Sequence, residues 1–168
     1  MLVYELGRFY LVDRKVDLAG GDWPQMLPDK IIYVDSPGII DLGGGWQLQV
    51  ERLTMSEMIF RMAQTNQDPY QAWLAADPEQ DSIFLRTPRP GDRIQPLGMV
   101  SGTQKLSDFM INHKIPRWAR SGWPLVCVGE KIAWVPGYRL GQDFQLQTTS
   151  RQVVHFTLKK SDSPDLIT

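Results

Sequence analysis

Glycine and proline divide this chain into short segments, and this division limits the folds that it can adopt. The sequence has 14 glycines and 12 prolines in 168 residues. In its first third, segments rich in aromatic and β-branched residues are separated by AGGDWPQMLP and SPGIIDLGGG. This alternation is typical of strands joined by turns. It predicts strands in YELGRFYLVD, KIIYVD and WQLQVERLT.

Helical spacing of apolar residues is confined to a few short stretches. A helix is predicted after the capping residue Ser56, and a second short one over residues 69–76. A third is expected from Gln104, with Thr103 as its cap, and a helical turn at Pro116. Further strands are predicted in SIFLRT, PLVCVGEKIAWVPG and RQVVHFTLKK. The chain is therefore expected to be α+β, with a mixed or antiparallel sheet and a few short helices.

The single cysteine and the absence of long apolar runs indicate the compartment. Cys127 can form no internal disulfide and lies in an apolar run, where it is expected to fill space. No run has the length of a membrane span, and the first residues lack the plan of a signal peptide. We expect a cytoplasmic protein that does not contact a membrane.

The net charge of −1 hides an uneven distribution of charges along the chain. Residues 1–85 carry 6 basic and 13 acidic side chains, a net charge of −7, whereas residues 86–168 carry 12 basic and 6 acidic ones, a net charge of +6. Such a polarised chain suggests a face that binds a polyanion.

The basic side chains are densest between residues 86 and 120, where only Asp92 and Asp108 are acidic. Surface cations usually alternate with acids, so this excess favours an external anion. Contacts to phosphates would make binding weaken steeply as salt rises. The side chains that we predict to contact a nucleic acid backbone are Arg86, Arg89, Arg93, Lys105, Lys114, Arg117 and Arg120.

Local sequence suggests how these cations are presented. Gly91 and Asp92 predict a turn, with Asp92 bonding its own backbone. Gly98 and Gly102 allow the backbone to approach a ligand closely just before the helix expected at Gln104. The start of that helix would be a phosphate-binding site. Arg117 and Arg120 are three residues apart and would share a helical face. For each of these residues taken singly, the alternative to phosphate binding is a place in an ordinary turn or on a solvated charged face.

Little in the sequence indicates catalysis or metal binding. The chain has two histidines and no spacing typical of metal ligands or of a catalytic pair. His113 continues the apolar stripe of Leu106, Phe109 and Met110, so we expect it to be structural. The tryptophans stand in apolar or turn contexts and are expected to pack in the core, although the neighbours of Trp118 are candidate contacts.

The amino-acid sequence of the basic stretch resembles that of a known protein family. LRTPRPGDRIQPLGM, GTQKLSDF, KIPRWAR, WPLV and IAWVPGYRLG follow one another as in the C-terminal domain of bacterial tRNA(Ile)-lysidine synthase. The resemblance is dense from Leu85 to Gly141 and extends upstream through QAWLAADPEQDSIFLR. The sequence departs from the family pattern at Pro88, Ile94 and Gln104, and two of the usual positive charges are absent.

The resemblance implies a fold, a partner and a missing catalytic part. The fold is that of the domain shared by lysidine synthases and a subunit of bacterial phenylalanyl-tRNA synthetase. The family's enzyme uses ATP to join lysine to the wobble cytidine of tRNA(Ile), on an N-terminal domain with an SGGxDS loop that this sequence lacks. We therefore expect a C-terminal fragment that needs no cofactor of its own. Its parts would be a β-rich lead-in with short helices over 1–80, the lysidine synthase C-terminal domain over 81–160 and a frayed tail over 161–168.

Two hypotheses of function follow. In the first, implied by the resemblance and supported by the charge distribution, the basic side chains hold the acceptor stem of tRNA(Ile). In the second, the basic segment docks on acidic protein surface, such as the N-terminal catalytic domain or the acidic half of this chain, without contacting RNA.

Overall fold

The protein is an antiparallel α+β structure. The computed structural model describes residues 22–161 and, as backbone, the segments 2–5 and 8–11. In these residues every strand pairing is antiparallel. The strands are β1 (Leu2–Glu5), β2 (Arg8–Leu11), β3 (Ile32–Tyr33), β4 (Gly38–Leu42), β5 (Trp46–Thr54), β6 (Gln71–Ala75), β7 (Ile83–Arg86), β8 (Arg93–Ile94), β9 (Gln104–Lys105), β10 (Leu125–Val128), β11 (Lys131–Val135), β12 (Arg139–Leu140) and β13 (Gln152–Lys160). The helices are α1 (Glu57–Thr65), α2 (Leu106–Asn112) and α3 (Arg117–Arg120). The α+β prediction is confirmed.

The described helices are short, and none is both long and apolar enough to cross a membrane. Helix α1 begins after Ser56, whose side chain accepts a hydrogen bond from the Ile59 amide at 3.2 Å, as the sequence predicts. The tail predicted over 161–168 lies, from residue 162 on, outside the described residues.

A four-stranded sheet is built around β13 and has the order β4-β5-β13-β6. Nine residue pairs join β13 to β5, from Gln152 opposite Thr54 to Lys160 opposite Trp46. Val154, Phe156 and Leu158 alternate along β13 and are buried. This period of two places them on the same face of the sheet, which is why the segment forms a strand.

A five-stranded sheet with the order β12-β11-β10-β7-β3 packs against the first. Strands β10 and β11 are joined by a tight turn at Gly129, which has a φ of 56°. The cluster between the sheets includes Leu48 and Phe156 from one and Leu85 and Trp134 from the other. This core takes residues from both sides of residue 80.

A second cluster lies beneath helices α2 and α3. Phe109 and Ile115 are fully buried there against Leu125 of β10. This packing fixes both helices on the five-stranded sheet, and it thereby positions the basic side chains that flank them.

Two predicted helical segments are different in the structure. Residues 69–76 do not form a helix, because Gln71–Ala75 pairs with β13 as strand β6 and buries Ala72, Trp73 and Leu74. Helix α2 begins at Leu106 rather than at Gln104, because Gln104 and Lys105 pair with β8. The sequence predicts a single strand in YELGRFYLVD, where the structure has the two paired strands β1 and β2. It does not predict the strands β4, β8, β9 and β12; β4 falls in a segment that the sequence indicates to be a turn.

Candidate nucleic-acid interface

The turn between β7 and β8 is organised by an internal ion pair. Arg86 donates from Nη1 and Nη2 to the two carboxylate oxygens of Asp92, at 2.8 and 2.9 Å. Asp92 also accepts a hydrogen bond from the Arg89 amide at 2.7 Å, while its own amide donates to the Arg89 carbonyl. Gly91 occupies the left-handed region with a φ of 85°. The turn, and the role of Asp92 in holding it, are as predicted.

Arg86 departs from the expectation of an exposed contact residue. Its side chain is 8% exposed and that of Asp92 is 13% exposed. Nη1 also donates to the Thr87 carbonyl at 3.0 Å. The hydrogen bonding that Arg86 donates to Asp92 raises the pKa of Arg86, against the opposite effect of burial. Arg86 therefore carries a charge that the protein itself compensates, and it acts as a support beneath the turn.

Strands β8 and β9 present two further cations side by side. Arg93 and Lys105 are directly opposite in the antiparallel register, and both are exposed. Residues opposite one another in such a pair project on the same side of the ribbon, with Cβ atoms about 5 Å apart. Arg93 donates from Nε and Nη2 to the hydroxyl and the carbonyl of Thr103, each at 2.7 Å. Thr103 thus anchors Arg93 instead of capping α2.

A backbone hydrogen bond joins the turn to the start of α2. The Leu106 amide donates to the Asp92 carbonyl at 2.8 Å. The turn therefore lies beside the β8-β9 ribbon, and Arg89, Arg93 and Lys105 surround one corner of the molecule. We call these three residues the turn cluster. All three are exposed, and none forms an ion pair with a carboxylate among residues 22–161.

The remaining three predicted contacts lie beyond the other end of α2. Lys114 follows the helix with a φ of 56°, and Arg117 and Arg120 belong to α3. Arg120 is half-buried and donates from Nε to the Ile115 carbonyl at 2.8 Å, whereas Lys114 and Arg117 are exposed. We call these three residues the α3 cluster. At 1.5 Å per residue, α2 and its flanks separate Lys105 from Lys114 by roughly 10 to 15 Å.

The segment between β8 and β9 is held by contacts that no sequence pattern indicates. The Gly98 amide donates to Oε1 of Gln142 at 2.8 Å, and the Leu97 amide to the Leu140 carbonyl at 2.8 Å. These partners are more than 40 residues apart in the chain. No local signal could therefore have identified Gln142 as a part of this region.

Residues predicted to be structural are packed. Nδ1 of His113 lies 2.9 Å from the Phe109 carbonyl, and its ring stacks on Phe109. Cys127 is 1% exposed, and burial raises the pKa of its thiol to about 11. Trp73, Trp123 and Trp134 are buried, while Trp118 is partly buried and makes an edge contact with Trp23.

Two antiparallel sheets on a common core, with short helices and exposed basic side chains at both ends of α2, define a small α+β domain. The model of the TilS substrate C-terminal domain family matches residues 83–156. A crystal structure of a TilS C-terminal domain superimposes with a TM-score of 0.63 and 27% sequence identity, covering 80% of this chain and 98% of that one. Residues 83–156 of the chain therefore belong to the TilS substrate C-terminal domain family.

Curated relatives agree with this assignment. The tRNA(Ile)-lysidine synthase of Symbiobacterium thermophilum is 38% identical over 88 residues, which are 52% of this chain and 18% of that protein. The tRNA(Ile)-lysidine synthase of Geobacter sulfurreducens is 33% identical over 120 residues, which are 71% of this chain and 24% of that protein. The chain thus spans about a fifth of the length of the curated relatives that it matches.

Proposed function

We propose that this region binds tRNA(Ile) for a lysidine synthase, and that its basic side chains hold the phosphate backbone of the acceptor stem. The observation that carries the proposal is the turn cluster. Arg89, Arg93 and Lys105 are exposed at one corner, without a carboxylate partner among residues 22–161. Cations arranged in this way lower their energy by binding an external polyanion.

The chemistry of the proposed enzyme belongs to a part outside this chain. The matched relatives are named as lysidine synthases, and the chain covers only about a fifth of them. We therefore assign the use of ATP and lysine to an N-terminal catalytic domain of the same cytoplasmic enzyme. The region formed by this chain contributes binding energy and orientation, which place the tRNA for that domain.

The proposal assigns different roles to the seven predicted residues. Arg89, Arg93, Lys105, Lys114 and Arg117 reach the solvent and are assigned to phosphates. Arg120 has its Nε on the Ile115 carbonyl, which leaves its terminal nitrogens for a contact. Arg86 is excluded from these contacts, because its guanidinium is committed to Asp92. Phosphate contacts position the RNA but do not read its sequence.

Salt dependence of binding tests the proposal. The double variant Arg89→Gln/Lys105→Gln removes two cations of the turn cluster and leaves the Arg86–Asp92 pair intact. The logarithm of the binding constant decreases linearly with the logarithm of the salt concentration. If each of the two cations contacts a phosphate of duplex RNA, this dependence should become shallower by about one to two in the variant. The measurement is fluorescence anisotropy with a tRNA(Ile) transcript over a series of salt concentrations.

A matched control removes the same charge elsewhere. Arg61 lies on α1 and Lys159 on β13, and both are exposed. The variant Arg61→Gln/Lys159→Gln should leave the slope unchanged. Equal slopes for wild type and both double variants would contradict the assignment of the turn cluster.

Truncated RNAs test the acceptor stem. A minihelix of the acceptor and T arms should compete for the protein nearly as well as the whole tRNA, whereas an anticodon stem-loop should compete weakly. The reverse order of competition would place the contact elsewhere on the tRNA.

The second candidate function is docking on acidic protein surface, and the α3 cluster favours it. Arg120 is half-buried and bonded to the backbone of Ile115, so part of its role is structural. The variant Arg117→Glu/Arg120→Glu discriminates between the two functions. A large drop in melting temperature with unchanged RNA affinity would support docking, and lost RNA affinity with an unchanged melting temperature would support RNA binding.

A further inference from the structure

The segment between β8 and β9 ends in an exposed apolar side chain. We call residues 95–103 the hairpin loop. Val100, at its tip, is 99% exposed, which is the highest value among the large hydrophobic residues that the structure describes. A single exposed apolar side chain is common on protein surfaces, so the location of Val100 among cations and free amides, and not its exposure alone, is what points to a contact outside the chain.

Hydrogen bonds on both sides of its tip hold the hairpin loop. They run from the Leu97 amide to the Leu140 carbonyl, from the Gly98 amide to Gln142 Oε1, from Gln95 Nε2 to the Met99 carbonyl, from the Met99 amide to the Pro96 carbonyl, and from Arg93 to Thr103. Gly98 and Gly102 take φ values of 97° and 77°, which favour glycine. Val100 is therefore presented by an ordered loop, and little conformational entropy would be lost on binding.

The tip also carries hydrogen-bond donors. The amides of Val100, Ser101 and Gly102 donate no hydrogen bond within residues 22–161. The tip thus combines an exposed apolar side chain with neighbouring N–H groups that have no acceptor within these residues. It complements a surface on which apolar groups alternate with hydrogen-bond acceptor oxygens.

The charge around the loop selects the chemistry of the partner. Arg93 and Lys105 lie at its base, Arg89 lies on the adjoining turn, and residues 95–103 contain no acidic side chain. An acidic polymer with apolar sugar faces fits this combination. The minor groove of an RNA helix is wide and shallow, and it displays riboses and 2′-hydroxyl groups between two phosphate backbones.

We propose that the hairpin loop enters the minor groove of an RNA helix, where Val100 packs on a ribose and the adjacent amides donate to 2′-hydroxyl or phosphate oxygens. The turn cluster then lies over the flanking phosphates. This inference rests on the proposed function and adds to it an uncharged contact that recognises RNA by its shape.

The variant Val100→Ser tests the loop. Loss of a partly buried valine contact should weaken binding of a tRNA(Ile) acceptor minihelix by about fivefold to tenfold. The salt slope should not change, because no charge is removed. The melting temperature should not change either, since Val100 makes no packing contact in the free protein. A DNA duplex of the same sequence, whose minor groove is narrow, should bind wild type and variant equally.

The variant Ile39→Ser is the matched control. Ile39 is 60% exposed on β4, an edge strand of the four-stranded sheet, and its replacement should leave RNA affinity unchanged. A wild-type affinity for the minihelix in Val100→Ser would overturn the loop assignment while leaving salt-dependent RNA binding intact. If the wild-type protein fails to bind RNA at all, the proposed function fails as well. Unchanged RNA affinity together with lost activity of a full-length enzyme carrying Val100→Ser would assign the loop to a protein contact instead.

Discussion

Among single residues, the Arg86–Asp92 pair decides whether the turn keeps its shape. Both side chains are largely buried, so removal of one leaves the other charge unpaired in a place where water cannot solvate it. We expect Asp92→Ala to lower the free energy of unfolding by about 3 to 5 kcal/mol. Urea denaturation followed by circular dichroism measures this loss.

An exposed ion pair provides the control for Asp92→Ala. Arg52 pairs with Glu79 across side chains that are 31% and 72% exposed. Glu79→Ala should cost less than about 1 kcal/mol, because water replaces the lost partner. Similar losses in the two variants would mean that the Arg86 guanidinium is well solvated in the folded protein.

The buried thiol of Cys127 predicts a dependence of stability on pH. Burial raises its pKa from 9.0 to about 11, so the thiol ionises more readily in the unfolded chain. The stability that the neutral buried thiol contributes is fully present below pH 9 and is lost as the pH rises towards 11. The loss should reach about 2 to 3 kcal/mol.

A comparison with Cys127→Ala isolates this contribution. Burial also raises the pKa of Tyr138, but that residue is present in both proteins and its effect cancels. The difference in unfolding free energy between wild type and variant should be constant up to pH 9 and should shrink from there to pH 11. Parallel profiles over the whole range would exclude ionisation of the thiol in the unfolded chain as the cause.

Between secondary-structure elements, Gly141 couples the hairpin loop to the five-stranded sheet. It bridges to Pro96, and a Cβ atom at this position would come within 2.7 Å of the Ile132 carbonyl oxygen. Backbone must move to relieve that overlap, so Gly141→Ala should destabilise the protein by about 3 kcal/mol. Hydrogen exchange of the Leu97 and Gly98 amides should accelerate in the variant.

The same substitution at Gly91 separates steric overlap from backbone strain. Gly91 has a φ of 85°, and no atom lies within 4 Å of the place that a Cβ atom would take. Gly91→Ala should therefore cost only about 1 kcal/mol, from conformation alone. If Gly141→Ala were no more harmful than Gly91→Ala, the contact with β11 would not be tight.

The elements that the sequence predicts are those with a strong local pattern. β5 alternates apolar and polar residues from Trp46 to Glu51 and β13 from Val154 to Lys159, and Ser56 marks the start of α1. The segment Gln71–Ala75 has no such period, and it becomes a strand because β13 offers a free edge far along the chain. Gln104 and Lys105 likewise pair with β8 before the helix can begin.

In the candidate site too, the sequence predicts the features with a local pattern and not those that depend on long-range packing. The Gly91-Asp92 turn is local and can be recognised in the sequence, and so can the excess of cations around it. One of these cations, Arg86, is neutralised by a carboxylate of the protein because it is buried beside β10. The spacing of residues in the sequence gives no information on this burial. Arg86 therefore looks like Arg89 and Arg93 in the sequence, although only Arg86 is buried.

For the molecule as a whole, the sheet order predicts which part of the chain folds independently. The expected domain of residues 81–160 contains β13 but lacks β5 and β6, its neighbours on both sides, as well as β3. In such a fragment, Val154 and Phe156 would lose the strands that bury them. We expect residues 81–160 alone to show no cooperative unfolding transition and no near-ultraviolet circular dichroism.

A longer fragment is the control for this prediction. Residues 22–161 retain every strand of both large sheets and all three apolar clusters. This fragment should unfold cooperatively in urea, with a slope that fits the surface area of its whole length. Cooperative unfolding of residues 81–160 would mean that the five-stranded sheet and the helices on it are stable without the four-stranded sheet. Because the two sheets share one core, the pairing of β13 with β5 and β6 also supports the five-stranded sheet on which α2 and α3 pack.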